Sequence, residues 1–124
     1  MGHISGKVWG LTQEIWRGPH SEIHLINAKK GGFCSKHIHE HKWNLFHVIS
    51  GHLEVTIWPP SGTVDIVNLH DGESCQVPPG HLHQFLAVAD TQAMEVYWVE
   101  QLSPSDIKRS SVGGVVPATK ESER

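Results

Sequence analysis

Five of the chain's eleven histidines fall in two short segments, at positions 37, 39, 41, 81 and 83. The first segment runs Gly31-Gly32-Phe33-Cys34-Ser35-Lys36-His37-Ile38-His39-Glu40-His41-Lys42-Trp43-Asn44. The second runs Gly72-Glu73-Ser74-Cys75-Gln76-Val77-Pro78-Pro79-Gly80-His81-Leu82-His83. Imidazole nitrogens are good donors to divalent transition metals, and three of them brought to one point make a metal site. On a strand, residues two apart face the same way, so His37 and His39 project together, with Phe33 and Ser35 on their side and Cys34 on the other. Such a pair supplies half of a coordination shell from one rigid element.

The elements needed to hold those residues are strands. Ser21 to Asn27 alternates and is rich in β-formers, and Phe33 to His39 resumes after the Gly31-Gly32 break. Asn44 to Ser50 and Leu53 to Trp58 flank Gly51. Val64 to Leu69, Ser74 to Val77, His83 to Val88 and Ala93 to Val99 follow, separated by Gly- and Pro-containing turns. Short strands at nearly regular spacing predict an all-β sandwich or closed barrel. Asn44, Phe46 and Val48 share one face of their strand, while His47 points away from it. Leu45 and Ile49 make the opposite face apolar as well, which predicts a covering sheet or a second subunit, hence a homodimer. Residues 1–101 are expected to form the barrel with an N-terminal strand. Residues 102–124 form a tail, with a short turn or helix over Leu102 to Ile107 and a polar remainder that cannot drive packing.

Composition narrows the partners. A formal charge of -3 and the lack of a Lys/Arg stripe argue against nucleic acid. No apolar run reaches membrane-spanning length, and Met1 to Gly6 carries no secretory hydrophobic region. With two cysteines, Cys34 and Cys75, the chain has no disulfide scaffold, so the cytoplasm is expected. A small-molecule ligand is the partner that remains.

The spacing Gly-x5-His-x-His-x4-Asn-x6-Gly holds from Gly31 to Gly51, and Gly-x5-Pro-x-Gly-x2-His holds from Gly72 to His83. With one substitution these are the two motifs of the cupin superfamily, which the chain resembles over roughly Val8 to Glu100. The resemblance implies a double-stranded β-helix (a jelly-roll barrel), often dimeric, holding a divalent metal, with His37, His39 and His83 in the histidine ligand positions. Asn44 stands where the family usually has a glutamate ligand. Three neutral imidazoles and a neutral amide leave the ion its full charge, which favours an anionic substrate and weakens the hold on the metal. Asn44 is then a weak ligand, a group behind the ligands, or a substrate contact. Imidazole donors leave Zn, Fe, Mn and Ni open.

A second, local resemblance rests on Val8-Trp9-Gly10, Ser35 to His41, Val48 to Gly51 and Leu102 to Arg109. These stretches look like the cupin domain of bacterial type II mannose-6-phosphate isomerases, a family that keeps the glutamate at the Asn44 position. Three functions follow from the two resemblances. One is a metal-dependent, isomerase-like enzyme on a sugar phosphate or other anionic metabolite, with His41, His81 or Glu40 moving protons. Another is a three-histidine Fe(II) dioxygenase. The third is a non-catalytic ligand-binding or sensing cupin. His41 either continues the inward face beyond His39 or lies on the rim, and His81 either serves the barrel mouth as an acid–base group or is a surface residue.

Overall fold

Alternation of buried and exposed side chains drives the folding of this chain. The computed structural model describes residues 4–117. In chain order the strands are β1 (Ile4–Lys7), β2 (Gly10–Arg17), β3 (Ser21–Ala28), β4 (Trp43–Ser50), β5 (His52–Trp58), β6 (Asp65–His70), β7 (Ser74–Val77), β8 (Leu82–Ala87) and β9 (Thr91–Trp98). Every second residue of β5 and β8, and of β4 as far as Val48, is buried, as a sheet with one face on a core requires.

A six-stranded sheet, ordered β1-β2-β3-β9-β4-β7, faces a three-stranded sheet, ordered β6-β5-β8, and all pairings are antiparallel. The chain is thus the all-β, jelly-roll double-stranded β-helix that the motifs imply. Phe46 and Val48 from one sheet meet Leu53, Val55, Phe85 and Ala87 from the other in the core. Each such large apolar side chain contributes roughly 1.5–3 kcal/mol by leaving water. The tight β4–β5 turn depends on Gly51, which has φ +114°, and a Cβ there would lie 2.5 Å from the Asp90 carbonyl oxygen.

One strand expectation needs correction. Phe33 to His39 is not a regular strand; it meets β8 at two isolated bridges, Phe33↔Leu86 and His37↔His83. The paired numbers sum to 119 in the first and 120 in the second, so the register slips by one residue between them. A slip of one reverses which side chains face inward. Cys34 is accordingly buried, while Phe33 is 63% exposed and Ser35 is exposed. The side-chain phase expected upstream of His37 is therefore inverted, and Cys34 rather than Phe33 shares the inner face. Phe85 N–H donates to Cys34 Sγ at 3.2 Å. Burial pushes the thiols of Cys34 and Cys75 up to about 11, and both are free.

His47 does point outward, 2.6 Å from Ser74 Oγ. On that outer face Trp43 stacks on Trp98, with centroids 6.0 Å apart and planes 12° from parallel. Leu102 to Ile107 contains a turn closed by Asp106 N–H donating to the Ser103 carbonyl, and no helix. Among the described residues no helix is long and apolar enough to cross a membrane. Residues 1–3 and 118–124, on which the expectations of a leaderless start and a loose tail partly rest, lie outside the described residues.

Candidate metal centre

Position 37 is fixed by backbone pairing. His37 N–H donates to the His83 carbonyl at 3.0 Å, and His83 N–H returns the bond to the His37 carbonyl at 2.9 Å. Two residues on, the His39 carbonyl accepts from Gly80 N–H at 2.8 Å, which ties the segment to the Pro-Pro-Gly turn before β8. Ring centroids are 4.5 Å apart for His37 and His83, 5.0 Å for His37 and His39, and 5.4 Å for His39 and His83. One ligand nitrogen from each ring lies within 4.8 Å of the other two.

The tautomers suit a cation. His37 Nδ1–H donates to the Ser35 carbonyl at 2.8 Å, and His83 Nδ1–H donates to the His81 carbonyl at 2.9 Å. Both rings therefore carry their proton on Nδ1 and offer the Nε2 lone pair, as backbone-anchored metal-binding histidines do. Burial, then the neighbouring His37 and the Lys42 ammonium, hold His39 down to about 4. Burial likewise lowers His83. Neutral imidazoles are the ligand form.

Asn44 lies at the heart of this arrangement, fully buried on β4. Its Nδ2 donates to His83 Nε2 at 3.2 Å and to Glu95 Oε2 at 3.1 Å. Two buried polar atoms here have no hydrogen-bond partner: Asn44 Oδ1 and His39 Nε2. Leaving such atoms unpaired costs about 1–3 kcal/mol each, and a cation shared by the three histidines would satisfy His39 Nε2. The three imidazoles therefore fit a divalent transition metal, while Asn44 turns its NH2 toward His83.

The other residues singled out from the sequence sit elsewhere. Glu40 and His41 pair with one another at 3.7 Å, with side chains 83% and 90% exposed. His81 is half-buried, and its Nδ1 donates to the Pro79 carbonyl at 3.1 Å. None of the three lines the adjoining cavity, a space of about 970 Å³ bordered by His24, Cys34, His37, Phe85, Glu95 and Tyr97, with Lys7, Lys29 and Lys30 also on its wall.

Sequence reasoning missed Glu95. It is an acid within the apolar β9 pattern, two residues from Ala93 and from Tyr97, on the phase that faces inward. An acid on that phase was the available clue. Tyr97 lies edge-on to His39 with centroids 5.2 Å apart, beneath the Lys42 ammonium at 4.0 Å. Burial, reinforced by the Glu95 carboxylate, raises its phenol far above the ordinary value, so it stays a hydrogen-bond donor.

The cupin domain family matches residues 24–100, which include both histidine segments. The chain belongs to the cupin superfamily. No curated protein matches this cupin. Among solved structures it is similar to KdgF from Halomonas sp., at 17% identity and TM-score 0.64, covering 73% of this chain and 79% of that one. It is also similar to the capsular polysaccharide assembling protein CapF from Staphylococcus aureus, at 19% identity and TM-score 0.69, covering 86% of this chain and 31% of that one. A third is Bacillus subtilis oxalate decarboxylase, a protein with Mn(II) centres, at 19% identity and TM-score 0.73, covering 82% and 28%. The cupin spans most of KdgF and under a third of the other two. At these identities the likeness is one of fold.

Proposed function

We propose that this cupin is a metal-dependent enzyme of isomerase-like chemistry, acting on a sugar phosphate or another small anionic metabolite. The observation that carries the reading is the set of His37, His39 and His83 nitrogens within 4.8 Å of one another, with the buried His39 Nε2 lacking a hydrogen-bond partner. These residues would hold the divalent ion, and Asn44 would join them by turning its oxygen in place of the NH2 that it directs at His83. When bound, the ion would polarise a substrate carbonyl or hydroxyl as a Lewis acid. Lys7, Lys29 and Lys30 on the cavity wall favour an anionic group, and Trp9 and Phe85 provide an apolar floor. Tyr97 donates a hydrogen bond to a substrate oxygen. Glu95, the carboxylate among the described lining residues, takes a proton from the carbon beside the carbonyl and returns it to the neighbouring atom. Glu40, His41 and His81 keep the proton-moving role read from sequence only as groups outside that lining.

An all-imidazole donor set without a carboxylate ligand also supports an Fe(II) dioxygenase as the second reading. Residues 1–101 would carry the whole site, 102–124 would stand apart from it, and the protein would work as a cytoplasmic homodimer through the apolar outer face around Leu45 and Ile49.

Elemental analysis of purified protein, beside a His37→Ala/His83→Ala double variant, tests the centre. One divalent ion per wild-type chain and none in the variant is expected, and equal metal in both samples overturns the reading. Interconversion of aldose and ketose phosphates without oxygen uptake supports the isomerase, whereas iron with substrate-dependent oxygen uptake favours the second reading.

A further inference from the structure

Glu22 and His24, two apart on β3, share a face. Glu22 Oε1 accepts from Arg17 Nη1 at 2.9 Å, and Glu22 Oε2 accepts from His24 Nε2–H at 3.0 Å. The His24 hydrogen bond, helped by Arg17 and opposed by partial burial, holds the Glu22 carboxyl below its ordinary value. An ionised carboxylate only accepts, so the neutral His24 ring must carry its proton on Nε2. Its Nδ1 keeps the lone pair and makes no hydrogen bond among the described residues. His24 lines the cavity and Glu22 does not, so the ring stands between the carboxylate and the open space.

Backbone register puts this ring beside the other groups of the site. His24 pairs with Glu95 and Glu22 pairs with Tyr97 in the β3–β9 ladder, so His24 and Glu95 stand directly opposite one another on the inner face. Tyr97 lies edge-on to His24, with centroids 5.8 Å apart. From β2, Glu14 pairs with His24, but Arg17 engages its carboxylate at 2.7 Å. The His24 side chain is only 17% exposed, and its one polar tie is to Glu22. His41 and His81 are off the cavity wall, whereas His24 and Glu95 are both on it.

We infer that His24, oriented by Glu22, is the second acid–base group of this cavity and moves the oxygen-bound proton of the substrate while Glu95 moves the carbon-bound one. The inference rests on the isomerase reading above. A carboxylate that accepts from one imidazole nitrogen fixes the tautomer and makes the other nitrogen a stronger base. In the conversion of an aldose phosphate, Glu95 takes the proton of the hydroxyl-bearing carbon. That C–H pair forms the double bond of an enediol, and the carbonyl pair moves onto its oxygen. His24 takes the hydroxyl proton through Nδ1 and passes it to the former carbonyl oxygen. The freed O–H pair becomes the new carbonyl, and Glu95 returns its proton to the former carbonyl carbon. Two protons change place and nothing is oxidised or reduced overall.

The test uses the full chain, with His24→Gln and Glu22→Gln beside wild type. Long-range proton–nitrogen NMR of the 15N-histidine-labelled, metal-free chain reads the tautomer, and H24Q assigns the ring. Wild-type His24 is expected as the Nε2–H form; the Nδ1–H form overturns the inference. With Mn(II) supplied, glucose 6-phosphate and mannose 6-phosphate are the probes, in D2O. H24Q should lose about 10²–10⁴-fold in kcat with KM little changed, yet still wash deuterium into the carbon beside the carbonyl, because Glu95 remains. E22Q, which offers His24 either end of an amide, should populate both tautomers and lower kcat in the same direction, and it carries the test if H24Q does not fold. Wild-type kcat in H24Q, or loss of deuterium exchange together with turnover, overturns the inference and leaves the isomerase reading standing. Wild-type protein that neither converts nor exchanges either probe sinks both.

Discussion

His37 and His83 exchange both of their backbone hydrogen bonds, at 3.0 and 2.9 Å, which sets their rings 4.5 Å apart although they belong to different motifs. One rung of an irregular ladder therefore brings the halves of the site together. His39 follows on the same inner phase, and Asn44 closes the group from the opposite sheet.

Burial separates the two partners of that rung in what their loss costs. His83 is fully buried against Phe46 and Asn44, whereas His37 is only half-buried. His83→Ala should lose about 2–5 kcal/mol of stability from the cavity and the stranded amide. His37→Ala should lose about 1 kcal/mol. Both should lose the metal. Urea unfolding beside elemental analysis checks the split, and equal stability losses would contradict it.

An aspartate at position 44 sets two carboxylates side by side, because Asn44 Nδ2 now sits 3.1 Å from Glu95 Oε2. Like charges this close in a buried site resist joint ionisation. Metal-free Asn44→Asp should be destabilised by about 1–3 kcal/mol at neutral pH, and a divalent ion should restore more stability to it than to wild type. Melting temperatures with and without Mn(II) decide this, and an equal metal-induced rise in both proteins would refute it.

The low value of His39, about 4 against an ordinary 6.5, links stability to pH. Between those values the unfolded chain binds a proton that the folded chain refuses. Stability of the metal-free protein is therefore intact above pH 6.5 and falls as pH drops through that window toward 4. His39→Leu should flatten the fall. Melts of both proteins across the window test the sign; a rise in wild-type stability on acidification would reverse the assignment.

Gly51→Ala should cost about 2 kcal/mol or more. The new Cβ would meet backbone and side-chain atoms of Asp90 and Thr91 at 2.5 Å, on a residue whose φ is +114°. The loss should appear as a lower urea midpoint with the metal site retained in whatever protein stays folded. A midpoint within error of wild type would show that the turn yields.

Much of the scaffold was legible in one dimension. Period-two alternation over Asn44 to Val48, around Gly51 and through Ser74 to Val77 marks strands because each must bury one face, and the structure keeps them as β4, β5 and β7. The pair His37 and His39 announced a shared face for the same reason. The segment before them could not be phased, since the slip between Phe33↔Leu86 and His37↔His83 comes from pairing with a strand far along the chain.

Local pattern thus determined which residues form strands and which imidazoles could act together, because periodicity and turn chemistry are properties of neighbours in sequence. Only the tertiary structure decided that Cys34 turns inward, that Glu40 and His41 turn to solvent, and that Glu95 lies against Asn44. Those outcomes depend on cross-strand register, and register is settled by packing between segments that share no local signal.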